Sequence, residues 1–262
     1  MELQQVVGNR RSFRYLDPDR PVEIWKIQKM LEAARLASHF GNNNAARALV
    51  VDRATATEEQ RDCLPSPVGG FQIQQAPVVI LWYVETEAMD EAGQRLRELV
   101  ACGALGYGPG RNDELERTLV PMFAKGAAAL KAPGLVDMDL GQAIAQATLM
   151  GIELGLGMCL QGSPNWERTR KAFKLPASCR IAAAQTLGYP IESMNGGGQR
   201  PRLPFETLFQ YNSYAEPFPR DPKVVAELEA SGLLQAAAPL PGREEEVERI
   251  RAKYNLPRNG MI

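Results

Sequence analysis

Histidine is almost missing from this chain: the 262 residues hold one, His39. A metal site built on two or more histidines is therefore excluded, and no spacing of carboxylates or cysteines offers an alternative. A Ser-His-Asp hydrolase would have to route its chemistry through His39, and there is no Gly-x-Ser-x-Gly elbow to supply the nucleophile. Cysteine is also sparse. Cys63, Cys102, Cys159 and Cys179 are far apart and form no Cys-x-x-Cys pair, so they read as buried free thiols in a reducing compartment. No apolar run reaches membrane-spanning length, and Met1-Glu2-Leu3-Gln4-Gln5 lacks the charged and apolar regions of a signal peptide, so a cytoplasmic chain is expected. Charge of one sign is lacking too. With 30 Lys and Arg against 31 Asp and Glu, no basic stripe marks nucleic acid as a partner. An organic cofactor that carries its own reactivity suits such a composition.

Against this background two arginine clusters stand out, Arg10-Arg11-Ser12-Phe13-Arg14 and Arg200-Pro201-Arg202. The first offers several guanidinium forks and a hydroxyl within a short stretch, which suits a phosphate and its attached polar chain. The second closes on the same anion only if folding joins the two ends; otherwise both are unrelated solvated patches.

Between the clusters the chain alternates helical and strand-like stretches. Ile24, Ile27, Leu31 and Ala34 mark one face of a helix over 22–37, and short strands are expected near 47–52, 78–84, 157–161 and 181–188. This is an α/β or α+β pattern, a mixed sheet flanked by helices. The stretch from Asp137 to Leu154 is apolar on most sides and predicts a helix buried in a core or at a subunit interface. Residues 89–130 read as helices interrupted by Gly103–Gly110, either a mobile segment or a plain turn. Asn195-Gly196-Gly197-Gly198-Gln199 reads as a flexible loop. Gly155-x-Gly157 followed by Gly162 is not a dinucleotide fingerprint, because it follows a helix and its spacing is wrong.

In order, Arg10-Arg11-Ser12-x-Arg14, Gly155-Leu156-Gly157, Leu187-Gly188-Tyr189-Pro190 and Arg200-x-Arg202 give a chain that resembles the nitroreductase family of flavin mononucleotide (FMN) enzymes from Arg10 to about Tyr214. The resemblance implies an intertwined homodimer with flavin sites at its interface. It gives the phosphate to Arg10, Ser12 and Arg202, with Arg200 close by. Arg11 has two readings, a wall of the flavin site and a surface cation. Arg14 is implied near the ribityl chain and the N1–C2=O edge, where a fixed cation favours the reduced flavin. Gln72 stands near a position where relatives place a second Lys. Backbone N–H groups near Gln161 and Gly162 are implied at flavin N5 and O4, and Gly162 permits close approach.

The stretch Ser38–Asn44 matches the segment that relatives contribute from the partner subunit, usually Pro-Ser-x-x-Asn-x-Gln-Pro-Trp. Asn42 is retained, while Ser38, His39, Asn44, Ala45 and Ala46 replace the Pro, Ser, Gln, Pro and Trp. His39 is then either a hydrogen-bonded structural residue or a titrating group at the pyrimidine side of the flavin. Residues 1–214 would form the FMN-binding domain, and 215–262 an extension packing on the partner. The implied activity is hydride transfer from NAD(P)H through flavin N5 to a small electron-poor acceptor such as a nitroaromatic or quinone. The same fold also supports dehalogenation, azoline oxidation and flavin fragmentation, and a flavin-binding or regulatory protein with little turnover is a further reading.

Overall fold

The computed structural model describes residues 1–64, 70–162 and 166–256. A short helix α1 (Leu3–Asn9) precedes α2 (Ile24–Arg35), strand β1 (Ala46–Asp52), two small helices α3 (Glu58–Asp62) and α4 (Gly70–Gln75), and strand β2 (Val78–Glu85). There follow α5 (Ala92–Ala101), α6 (Arg111–Glu114), α7 (Val120–Lys131) and the long α8 (Leu135–Glu153). Strand β3 (Gly157–Gln161), α9 (Trp166–Ala172) and strand β4 (Cys179–Gly188) complete the core, and α10 (Phe205–Leu208), α11 (Pro222–Ala230) and α12 (Arg243–Tyr254) lie beyond it.

Among the described residues the four strands form one antiparallel sheet in the order β1-β2-β4-β3. The unbroken apolar run Val78-Val79-Ile80-Leu81-Trp82 becomes β2 because a strand in the middle of a covered sheet has no solvent face. All five of those side chains are buried. Each such aliphatic side chain contributes about 1.5–3 kcal/mol on burial.

Helix α8 lies on one face of this sheet and α2 packs on α8. Val136, Leu140, Ala143, Ala147 and Gly151 form its buried stripe at helical spacing, whereas Ala145 and Gln146 face outward. The helix is thus core on one side only, not all round. A buried polar chain crosses the layers: Trp82 Nε1 donates to Gln185 Oε1 at 2.9 Å, and Gln185 Nε2 donates to Thr148 Oγ1 on α8 at 2.8 Å. Asp137 caps the first turn of α8 through the Gly134 N–H at 2.6 Å and pairs with Arg180 of β4 at 2.9 Å.

Side-chain alternation on β3 decides what the site can use. Met158 faces α8, since a Cβ on Gly151 would fall 2.4 Å from Met158 Cε. Cys159 and Gln161 therefore point to the opposite face. Among the described residues no single helix is long and apolar enough to cross a membrane; 111–131 and 135–153 qualify only as a pair bent by 74°. Three cysteines are buried as expected, but Cys102, at the end of α5, is exposed.

Candidate functional site

After α1 the chain turns extended at Arg10 and is sewn to the sheet. Phe13 N donates to Met158 O at 3.0 Å, Ile191 N to Tyr15 O at 3.0 Å, and Asp17 N to Tyr189 O at 2.8 Å. Extended backbone alternates its side chains, and the burial follows. Arg11, Phe13 and Tyr15 are buried, while Arg10, Ser12 and Arg14 lie half-buried.

Arg11 is therefore not a surface cation. It is only 3% exposed, and its guanidinium serves the protein itself. Nε donates to Asn195 O at 3.2 Å and Gly198 O at 3.1 Å, Nη2 to Gln235 Oε1 at 2.7 Å, and Nη1 to the carbonyls of Gly8 and Arg10. The glycine turn around it is packed rather than flexible. Gly196 and Gly198 are buried at φ of 54° and 109°; a Cβ at the first would sit 2.9 Å from Arg11 Cγ, and at the second 2.8 Å from the Ala238 backbone. Only glycine suits both the dihedrals and the contacts.

This turn delivers Arg200 and Arg202 to the first cluster, so folding does join the two ends. Burial, followed by the charges of Arg10, Arg200 and Arg202, pulls the Arg11 guanidinium below its ordinary value. Burial, then Arg14, Arg243 and Arg10, does the same to Arg200, with Glu192 opposing. Mutual repulsion of this kind marks cations held together without enough counter-charge. Among the described residues Arg10, Arg14, Arg200 and Arg202 enter no ion pair. Their side-chain bonds reach nearby carbonyls, such as Arg14 Nη1 to Ser12 O at 3.2 Å and Arg202 Nη1 to Pro201 O at 2.9 Å. Glu192, whose side chain is fully buried, is committed to the Arg14 and Tyr15 N–H groups at 2.6 and 3.1 Å and to Arg243.

Beside the arginines runs the outward face of β3. The Cys159 thiol touches the Ser12 hydroxyl; burial pushes it up, with Arg14 and Ser12 pulling the other way. Two residues on, Gln161 Nε2 donates to Gln72 Oε1 at 3.1 Å, so Gln72 reaches the site as an acceptor from α4. The ring of Phe71 lies 6.0 Å from that of Tyr15, which holds α4 against the arginine segment. A Cβ on Gly162 would meet nothing within 4 Å, so Gly162 borders open space.

Ser38, His39 and Asn42 are not part of this assembly within one chain. His39 lines a hollow of about 290 Å³ with Leu31, Arg35, Asn44, Arg47 and Trp82, on the α8 side of the sheet beside β1. The arginines sit by β3, at the other edge and on the other face. Three strand spacings alone separate the two places by roughly 14 Å. The loop is pinned where it stands. Asp139 Oδ2 of α8 accepts from Phe40 N at 3.0 Å and from Asn43 Nδ2 at 2.9 Å, and Phe40 stacks on Phe123 of α7 at 5.2 Å. Asn42 and Asn44 both take positive φ, which turns buried Asn43 inward. Asn43 and Asp139 belong to no motif, although an acidic residue on the apolar stripe of α8 signals that something must meet it.

A model of the nitroreductase family matches residues 7–189. The chain belongs to this family. Solved structures with the same fold include a protein assigned as a nitroreductase, in complex with FMN, from Exiguobacterium sibiricum. It is 21% identical with a TM-score of 0.64, over 81% of this chain and 98% of that one. A protein assigned as an NAD(P)H:FMN oxidoreductase from Staphylococcus epidermidis is 14% identical with a TM-score of 0.64, over 80% and 95%. CLA-ER, an enone reductase of gut-bacterial fatty acid saturation, is 16% identical with a TM-score of 0.64, over 81% and 98%. Among curated proteins none matches this sequence.

The nitroreductase match ends at Tyr189, so Glu192, the glycine turn, Arg200, Arg202 and the whole extension lie past it. That extension divides in two. The stretch 206–221 is exposed throughout and carries Phe209, Tyr211 and Phe218. From Gly232 the chain returns to its own body. Gln199 Nε2 donates to Leu233 O at 2.7 Å, Gln235 holds Arg11, Leu240 N donates to Gly197 O at 2.9 Å, and Ile250 is buried. The physical reason is local: Gly8 and the glycine turn leave room for backbone and for Arg243, and this segment fills it.

Proposed function

We propose that this chain is an FMN-dependent oxidoreductase that passes electrons from NAD(P)H to an electron-poor acceptor. The observation that carries this reading is the set of four guanidiniums without ion pairs among the described residues, Arg10, Arg14, Arg200 and Arg202, gathered beside the Ser12 hydroxyl from opposite ends of the chain. A phosphate monoester with nearly two negative charges fits that donor set. Two nitroreductase-fold relatives named for FMN agree with it.

Arg10, Ser12, Arg200 and Arg202 would hold the phosphate, and Arg14 would set a fixed positive charge beside Cys159. Bound FMN would supply the redox chemistry between NAD(P)H and a nitroaromatic, quinone or similar acceptor. No side chain need act as an acid, because solvent protonates the product. The enone reductase among the relatives also acts on an electron-poor group.

We further read the active unit as a homodimer. Ser38, His39 and Asn42 stand at the far edge and face from their own arginines, so they complete a site only on a second copy. Exposed Phe209, Tyr211 and Phe218, and an apolar groove of about 900 Å³ between α1, α2 and α8, supply surface for that contact. The test is reconstitution with FMN followed by anaerobic mixing with NADH and NADPH. Rapid bleaching of flavin absorbance is expected; failure to retain FMN, or a flavin unmoved by both donors, would refute the enzyme reading.

A further inference from the structure

Glu192 is an awkward neighbour for an anion site. Its side chain has no solvent exposure, and it lies among Arg14, Arg200 and Arg243. Oε1 accepts both the Arg14 and Tyr15 N–H groups, which leaves Oε2 for one cation. Arg243 Nη2 takes that place from α12. Arg243 is itself fixed from two more sides: Nη1 donates to Glu246 Oε2 at 2.8 Å, and its stem packs over Gly197, where a Cβ would lie 2.7 Å from Arg243 Cδ. Glu246 in turn accepts from Ser193 N at 2.6 Å, one residue from Glu192.

We infer that Arg243 is a positioning residue for the cofactor site, which by occupying Glu192 keeps the Arg200 guanidinium open to the phosphate. The inference rests on the FMN reading above. A buried carboxylate stripped of its partner is strongly unfavourable and draws in whatever cation is within reach. Within reach is Arg200, whose guanidinium senses the Glu192 charge. Arg200 turning inward leaves the phosphate. The control comes from a helix more than fifty residues past the segment that the family model matches, so it belongs to this chain's extension rather than to the shared core.

The test is fluorescence titration of the apoprotein with FMN and with riboflavin, which lacks the phosphate. Wild type, Arg243→Gln, Glu192→Gln and the double variant are compared, with thermal melts for each. Arg243→Gln is expected to raise the FMN dissociation constant about tenfold, within the usual range of coupling between neighbouring sites, and to leave riboflavin unchanged. The double variant is expected to return FMN affinity to about that of wild type, because no stray carboxylate remains. Glu192→Gln alone is expected to bind FMN no more weakly than wild type; it stands in if Arg243→Gln does not fold. Equal weakening of FMN and riboflavin, a double variant that stays weak, or a loss of FMN affinity in Glu192→Gln would overturn the inference. A wild type that does not prefer FMN to riboflavin would instead overturn the cofactor reading.

Discussion

Arg11 Nη2 donates to Gln235 Oε1 at 2.7 Å, joining two residues 224 positions apart. With the carbonyls of Gly8, Asn195 and Gly198 on the same guanidinium, Arg11 is the closure between the start of the chain and its extension. Arg11→Met is expected to lower stability by about 3 kcal/mol, since several buried acceptors lose a charged donor at once. Equilibrium denaturation measures this. The arginine facing the ligand should behave differently from the one facing the fold, so a near-normal melt with lost FMN affinity would contradict the assignment.

Arg202→Ala is expected to leave the melt of the apoprotein nearly unchanged and to raise the FMN dissociation constant roughly ten- to a hundredfold, the consequence of removing one charged partner. Arg14→Ala is expected to lower the flavin midpoint potential, because the reduced cofactor loses a counter-charge. Spectroelectrochemistry on both variants separates retention from tuning. An unchanged potential in Arg14→Ala assigns the tuning to another residue.

A shared site has a signature no single variant gives. Arg202→Ala removes the anion end, and Asp139→Ala frees the loop that carries His39. When the two variants are unfolded together and refolded, mixed dimers contain one site with both defects and one with neither. About one site in four should recover under random mixing of a two-fold dimer. If each chain built its site alone, every site would stay defective and activity would not return.

The cysteines should sort by environment. Burial, with the Glu85 carboxylate at 3.3 Å adding to it, pushes the Cys179 thiol up to about 11. Its thiolate is therefore scarce at pH 8.5, while Cys102 is exposed. Brief treatment of the native protein with iodoacetamide at that pH is expected to label Cys102 and spare Cys179, as read by peptide mass mapping. The sign for stability is also fixed. A thiol whose folded value is raised contributes in full below the unfolded value, 9.0, and that contribution fades as pH climbs through about 11.

Much of the site was legible because charge is conspicuous. Arg10, Ser12, Arg14, Arg200 and Arg202 stood out as clusters, and the structure brings them together. The central strand was equally plain, since Val78–Trp82 is too continuous an apolar run for anything but a covered strand. The phase of the first cluster was harder. Whether Arg11 points inward depends on the bonds of Phe13 and Tyr15 to β3 and to the end of β4, and only then does the alternation assign sides. Asn43 was hidden by its neighbours: three successive asparagines look alike until positive φ at Asn42 and Asn44 selects the one that meets Asp139. Small helices such as α1, α4 and α9 carry too few residues for a periodic signal. Arg243 had no local mark at all, because its partner lies 51 residues away.

The polar chain from Trp82 through Gln185 to Thr148 has a consequence for spacing. Three elements must agree before its two hydrogen bonds can form, so it admits one alignment of β2, β4 and α8. A strand displaced by one residue would move about 3.3 Å along its axis and turn every side chain to the other face. On β3 that displacement would bring Met158 to the arginines and send Cys159 and Gln161 against α8. The chain of Trp82, Gln185 and Thr148 thus acts at a distance as a keyway: it touches nothing in the anion site, yet it sets the interval between the arginines on one edge of the sheet and the loop pinned beside the other.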